Sequence, residues 1–202
     1  HYYLYQSLWD KKPMVHLLPH WTHPGKEGVK IPVVVYTNTE AVELFLNGNS
    51  LGKQMYKGEQ LVWNVPYTSG TITAKAYNKG KMVAEKSYST AMGETHLQVT
   101  TSKDILSAKE RENAMVFIDI VDNKGNLFPL AENYISVEVK GAGKLKGIDN
   151  GSPIDLTPYS SSAKRAFRGK LVAFVEAQGS GEIIVSIKTK EGEMKTVKLT
   201  SK

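Results

Sequence analysis

Ala41-Val42-Glu43-Leu44-Phe45-Leu46-Asn47-Gly48-Asn49-Ser50-Leu51 is the stretch that decides the fold. Val42, Leu44 and Leu46 are apolar at every second position, the period at which a strand returns its side chains to one face. Asn47-Gly48 then breaks the run. Asn tolerates, and Gly readily adopts, the left-handed backbone that a tight hairpin requires. The segment predicts a strand, a turn and a strand back.

The same period extends in both directions. Val33 and Val35 show it upstream, and Ile72, Ala74 and Ala76 repeat it more weakly downstream. Phe117 to Val121, Ile135 to Val139, Leu171 to Val175 and Ile183 to Ile187 continue the series. Short runs rich in Val, Ile and Thr, punctuated by turn residues about every ten positions, indicate sandwiches or barrels. Tyr77-Asn78-Lys79-Gly80-Lys81 and Val121-Asp122-Asn123-Lys124-Gly125-Asn126 read as two further hairpins. Each is expected to have a loop of roughly three to five residues with Gly at positive φ. Two segments depart from the pattern. Tyr2 to Trp9 reads as the end of a helix with Tyr5, Leu8 and Trp9 on one face, and Ile105 to Asn113 reads as a polar loop.

The fold class expected is all-β: two tandem immunoglobulin-like β-sandwiches behind a short N-terminal segment. The boundary is placed at Gly93-Glu94-Thr95, giving residues 1–10 as a lead-in, 11–92 as the first sandwich and 93–202 as the second. A chain of 202 residues accommodates two such domains.

Composition narrows the function classes. Hydrophobic residues at 41% and charged residues at 23% are ordinary for a globular chain. No apolar run approaches the ~18 residues of a membrane span. With no cysteine there is no disulfide framework, thiolate nucleophile or Cys-based zinc site, and neither cytosol nor periplasm is favoured. No secretory leader is visible, and a chain opening in mid-pattern reads as a piece of something longer. The net charge of +6 raises nucleic acid as a partner. The densest basic cluster, Lys164, Arg165, Arg168 and Lys170, has only Phe167 beside it, whereas single-strand binders interleave several aromatics with cations. A scattered, solvated surface is the better reading, and no nucleic-acid partner is expected.

His16, His20 and His23 have a density seen among metal ligands, but Pro19 and Pro24 deny them a regular helix, so no metal or other cofactor is assigned. Trp21 between His20 and His23 could stack on a sugar face, which makes His20, Trp21 and His23 candidate carbohydrate contacts; packing against a neighbouring domain is the alternative for Trp21. Trp63 sits in an alternating strand and reads as core. The acid pairs Glu40 with Glu43 and Asp119 with Asp122 are what any strand-rich chain offers by chance. Asn150-Gly151-Ser152 reads as a turn. No residue is assigned a catalytic role.

Longer motifs carry a resemblance. Tyr2-Tyr3-Leu4-Tyr5-Gln6-Ser7-Leu8-Trp9 with Lys12-Pro13-Met14-Val15-His16-Leu17-Leu18-Pro19-His20-Trp21 resembles family 2 glycoside hydrolases of the bacterial β-galactosidase type, where the catalytic barrel gives way to C-terminal domains. Tyr36-Thr37-Asn38, Val42 to Gly48 and Trp63-Asn64-Val65-Pro66-Tyr67 are similar to the first sandwich after the barrel. Gly147-Ile148-Asp149-Asn150-Gly151 and Ala166-Phe167-Arg168-Gly169 are similar to the last. His23 departs from it, standing where the resemblance would place a tryptophan.

The resemblance implies a retaining enzyme whose two catalytic Glu residues lie on a barrel of ~250 residues, which does not fit here beside two sandwiches. Residues 1–10 would be the barrel's tail, and the catalytic barrel of the same parent chain the main partner. Tyr5, Leu8, Trp9 and Leu17 would dock against neighbouring domains. A homo-oligomer of the parent, a carbohydrate ligand, and a periplasmic or secreted location are further implications. β-Galactosidase is the parent activity expected, though β-glucuronidase and β-mannosidase share the family. Two alternatives remain at this point: a carbohydrate-binding module using Trp21 or Tyr159, and an adhesin-like array, against which the opening Tyr-Tyr-Leu-Tyr-Gln-Ser argues.

Overall fold

A computed structural model describes residues 2–202, which divide into two compact units, one ending at Thr90 and the other comprising Ala91–Lys202. The first begins with an eight-residue helix, α1 (Tyr2–Trp9), followed by β1 (Val15–Leu18), β2 (Lys30–Thr37), β3 (Ala41–Leu46), β4 (Asn49–Met55), β5 (Leu61–Pro66), β6 (Thr71–Asn78) and β7 (Lys81–Ser89). A three-stranded sheet, β1-β2-β5, faces a four-stranded sheet, β4-β3-β6-β7. The alternation read from sequence is the burial pattern observed. Ile31, Val33 and Val35 point inward from β2, Leu61, Trp63 and Val65 from β5, and Ile72, Ala74 and Ala76 from β6.

The second unit contains β8 (Thr95–Thr101), β9 (Ile105–Leu106), β10 (Asn113–Asp122), β11 (Tyr134–Gly141), β12 (Gly143–Asp149), β13 (Ala163–Arg165), β14 (Lys170–Ala177), β15 (Gly181–Thr189) and β16 (Met194–Ser201). They form a four-stranded sheet, β12-β14-β10-β8, and a five-stranded sheet, β13-β11-β15-β16-β9. Ile118, Ile120, Ala173, Val175, Ile183, Val185 and Ile187 fill the space between them. Antiparallel sheets buried on one face account for the period of two that runs through the chain. Among the described residues no helix is long and apolar enough to cross a membrane.

The hairpins follow turn chemistry, with one adjustment of length. Asn47 and Gly48 both have positive φ (50° and 82°), as do Lys79 and Gly80 (49° and 75°). Because Asn78 pairs with Lys81, the second loop holds two residues rather than three to five. A two-residue turn with both φ angles positive matches the twist of its strands. Asp122 to Asn126 has a three-residue loop closed by the Asn126 carbonyl, which accepts from the Asp122 amide at 2.9 Å, with Gly125 at positive φ. The segment 105–113 is only partly the expected loop. Ile105 and Leu106 pair in parallel with Thr200 and Ser201 before the chain turns into β10. Leu106 is fully buried, and that single apolar anchor draws the segment to the sheet edge.

Candidate docking and binding surfaces

Helix α1 is short for its exposure. Eight residues are too few for a stable isolated helix, so tertiary contacts must hold it. Its one buried residue is Ser7, whose hydroxyl donates to the Leu4 carbonyl at 2.7 Å. Tyr3 stacks on His16 of β1 with ring centroids 3.5 Å apart. Asn38, just beyond β2, clamps the linker between α1 and β1: its amide group donates to the carbonyls of Asp10 (2.9 Å) and Lys12 (2.8 Å), and its Oδ1 accepts from the Met14 amide (2.8 Å). The large side chains point away. Trp9 is 76% exposed, Leu8 56% and Tyr5 48%, and Tyr5 and Trp9 stack on each other one turn apart at 5.0 Å. The helix therefore buries a serine and leaves its aromatic face open.

Two residues expected at surfaces are core instead. Leu17 is fully buried between the sheets, because β1 is short and its inward position is filled by that side chain, so it cannot be a docking residue on the surface of this unit. Trp21 is 1% exposed. Its indole N–H donates to the Thr68 carbonyl at 3.0 Å, its ring meets Tyr67 edge-on at 5.2 Å, and its carbonyl accepts from the Thr90 hydroxyl at 2.6 Å. A sugar has no free face of that indole to stack on.

The two flanking histidines remain half-buried. They stack at 4.7 Å, and His23 Nε2 donates to the His20 carbonyl at 2.8 Å. Burial is the main influence lowering the His23 pKa; the His20 carbonyl opposes it, and Lys26 adds to the lowering. His16 faces Tyr3 instead, so the three histidines do not converge. Among the described residues no group of three His, Asp or Glu is placed to hold a metal ion.

The carboxylate pairs are likewise engaged separately. Glu40 accepts from the Lys79 amide and Glu43 from the Ser50 hydroxyl, both at 2.6 Å. Asp119 pairs with Lys170 at 2.8 Å, while Asp122 is spent on its own turn. The basic cluster also disperses. Lys164 is buried, 3.8 Å from Asp155 and 3.9 Å from Asp149, and Arg168 lies over Phe167. Tyr159 is 70% exposed with the Lys164 ammonium 5.1 Å from its ring centre. Asn150 fastens the loop that follows it by donating to Asp155 (2.7 Å) and the Arg165 carbonyl (2.9 Å), which supports the turn reading of that triplet. The Asn38 clamp was not legible in advance, since a lone Asn after a strand gives no sign of which carbonyls it will meet.

A family model described as glycoside hydrolase family 2 C-terminal domain 5 matches residues 97–198, just over half the chain. The chain belongs to glycoside hydrolase family 2. A model of a domain of unknown function matches residues 28–84. A solved β-glycosidase from Bacteroides vulgatus superposes with a TM-score of 0.94 at 45% identity, over 98% of this chain and 26% of that one. A Formosa agariphila protein bearing a β-glucuronidase name is 42% identical over 87% of this chain and 18% of its own length. A β-galactosidase from Bacteroides ovatus is 37% identical over 88% of this chain and 21% of its own. The chain thus spans about a fifth of these curated relatives. As all-β sandwich material it corresponds to the C-terminal region of a family 2 enzyme.

Proposed function

We propose that the two sandwiches support a retaining β-glycosidase, of β-galactosidase type, by packing beside its catalytic barrel and shaping one wall of the cleft. Residues 1–10 are then the barrel's tail, 11–92 the first accessory domain and 93–202 the second. The observation that carries this reading is the open aromatic face of α1. A helix too short to stand alone, holding Tyr5, Leu8 and Trp9 in water, is explained if another domain of the parent covers it. Covering each of these side chains would stabilise the assembly by ~1.5–3 kcal/mol.

The test compares the isolated chain with the full-length parent. Alone, the chain should bind a hydrophobic dye through α1, less so in a Trp9→Asp variant, and should not hydrolyse a nitrophenyl β-galactoside above buffer. Leu8→Asp with Trp9→Asp in the parent should lower its melting temperature by several degrees and depress turnover. Hydrolysis by the isolated chain that disappears on changing one of its own carboxylates would overturn the reading, as would a doubly substituted parent indistinguishable from the native enzyme.

A further inference from the structure

On the outer face of the five-stranded sheet, three cations converge on one exposed tyrosine. Tyr134 on β11 stands opposite Arg165 on β13, and Ser136 stands opposite Lys188 on β15. Side chains at directly opposed positions have their Cβ atoms about 5 Å apart on one face of a sheet. The chain then turns back, and the Lys190 amide donates to the Tyr134 carbonyl at 2.9 Å, bringing a third cation to the same corner. With Thr189, these residues line a groove of about 550 Å³. Tyr134 is 43% exposed within it.

What distinguishes the corner is that its cations stand outside the ion pairs of the sheet. Elsewhere on the same face Lys140 pairs with Glu138 at 3.1 Å and Lys198 with Glu182 at 2.9 Å. Among the described residues, Arg165, Lys188 and Lys190 form no ion pair. Glu191 is held by its own backbone amide, by Asn133 and by the Thr189 hydroxyl, with the Lys190 charge a weaker influence on it, and the Glu132 backbone carbonyl accepts from Arg165 Nη1 at 3.3 Å. That bond orients the guanidinium at the groove. The Ser136 hydroxyl donates to the Lys188 carbonyl at 3.3 Å and keeps its lone pairs for another donor.

We propose that this groove binds an anionic saccharide, with Tyr134 as the platform for a sugar ring and Arg165, Lys188 and Lys190 holding a carboxylate or sulfate substituent. An aromatic ring offers apolar area to the C–H face of a sugar, and guanidinium and ammonium groups form the stronger, charge-assisted bonds to an anion. The volume lies in the range of small-ligand sites and suits one or two sugar residues. A single ring gives no ladder for successive bases, which disfavours a nucleic acid. The site is independent of helix α1 and of the docking role proposed for it.

Isothermal titration of the 202-residue chain with oligogalacturonates, sulfated galactan oligosaccharides and neutral galacto-oligosaccharides tests this. Binding of either anionic series, with the neutral series at least tenfold weaker, is the expected result; the preferred series identifies the substituent. Arg165→Ala, Lys188→Ala and Tyr134→Ala should each weaken binding about tenfold while leaving near-ultraviolet circular dichroism unchanged. A Lys57→Ala, Lys81→Ala double variant, which removes two charges from the other unit, should bind as the native chain does. The proposal is overturned if neither anionic series binds below about 10 mM. Equal weakening in the Lys57, Lys81 control would also overturn it. So would binding of single-stranded DNA or oligosaccharide that Tyr134→Ala leaves intact, since either result would mark a general polyanion surface.

Discussion

The indole N–H of Trp21 donates to the Thr68 carbonyl at 3.0 Å, tying a loop before β2 to the segment after β5. Around that bond the ring is enclosed by the sandwich core, with Tyr67 edge-on. Truncation by Trp21→Ala would leave a large cavity, at a cost of ~3–5 kcal/mol. Urea unfolding followed by tyrosine fluorescence should show the midpoint falling accordingly. If instead stability were untouched and only oligosaccharide affinity suffered, the core assignment of Trp21 would be wrong.

His16 should make the first unit sensitive to mild acid. Burial, reinforced by the charge of Lys86, lowers its pKa from 6.5 to about 4. The unfolded chain therefore takes up the proton first. The contribution of a neutral His16 to stability is complete above pH 6.5 and is lost as pH falls toward 4. A His16→Phe variant keeps a ring against Tyr3 but cannot titrate. Its unfolding midpoint should vary less between those pH values than that of the native chain; identical profiles would count against this account.

Asp122 acts in the opposite unit and at lower pH. Burial pushes its pKa up, yet hydrogen bonds from the Asn126 side chain and from the Asn126, Lys124 and Met92 amides outweigh it and bring the value down to about 2. The folded state thus holds the carboxylate where the unfolded chain would protonate it. Stability from this group is present above pH 3.8 and disappears as pH falls through about 2. Asp122→Ala should cost ~1–3 kcal/mol at neutral pH by leaving those donors unpaired. Hydrogen exchange at Lys124 and Asn126 should accelerate in the variant, and unchanged protection there would refute the role.

Gly169 explains a motif that sequence could only match. It follows Arg168 in a two-residue turn with φ values of 53° and 74°, and a Cβ at Gly169 would sit 2.4 Å from the Phe128 carbonyl oxygen. Both backbone strain and a backbone clash oppose any side chain there. Gly169→Ala should lower the melting temperature of the second unit by several degrees, whereas Gly179→Ala, which meets nothing within 4 Å, should be nearly neutral. Equal effects at the two positions would sink the argument.

The strand pattern and its hairpins were legible because burial on one face imprints a period of two, and because tight turns demand residues that accept positive φ. Val42 and Leu44, Ile183 and Ile187, and the Asn47-Gly48 turn therefore announce themselves along the chain. What the tertiary structure alone decided was which side of the surface each special residue occupies. Trp21 and Leu17 went inward because the space between the sheets needed filling; Trp9 and Leu8 stayed outward because the helix turns Ser7 and Tyr3 toward the unit. Lys164 and Arg165, adjacent in sequence, were sent to opposite faces of β13, and Arg165 was joined instead to Lys188 and Lys190. Local physics along the backbone writes strands and turns into the sequence, whereas a site assembled from distant strands exists only once their register is set.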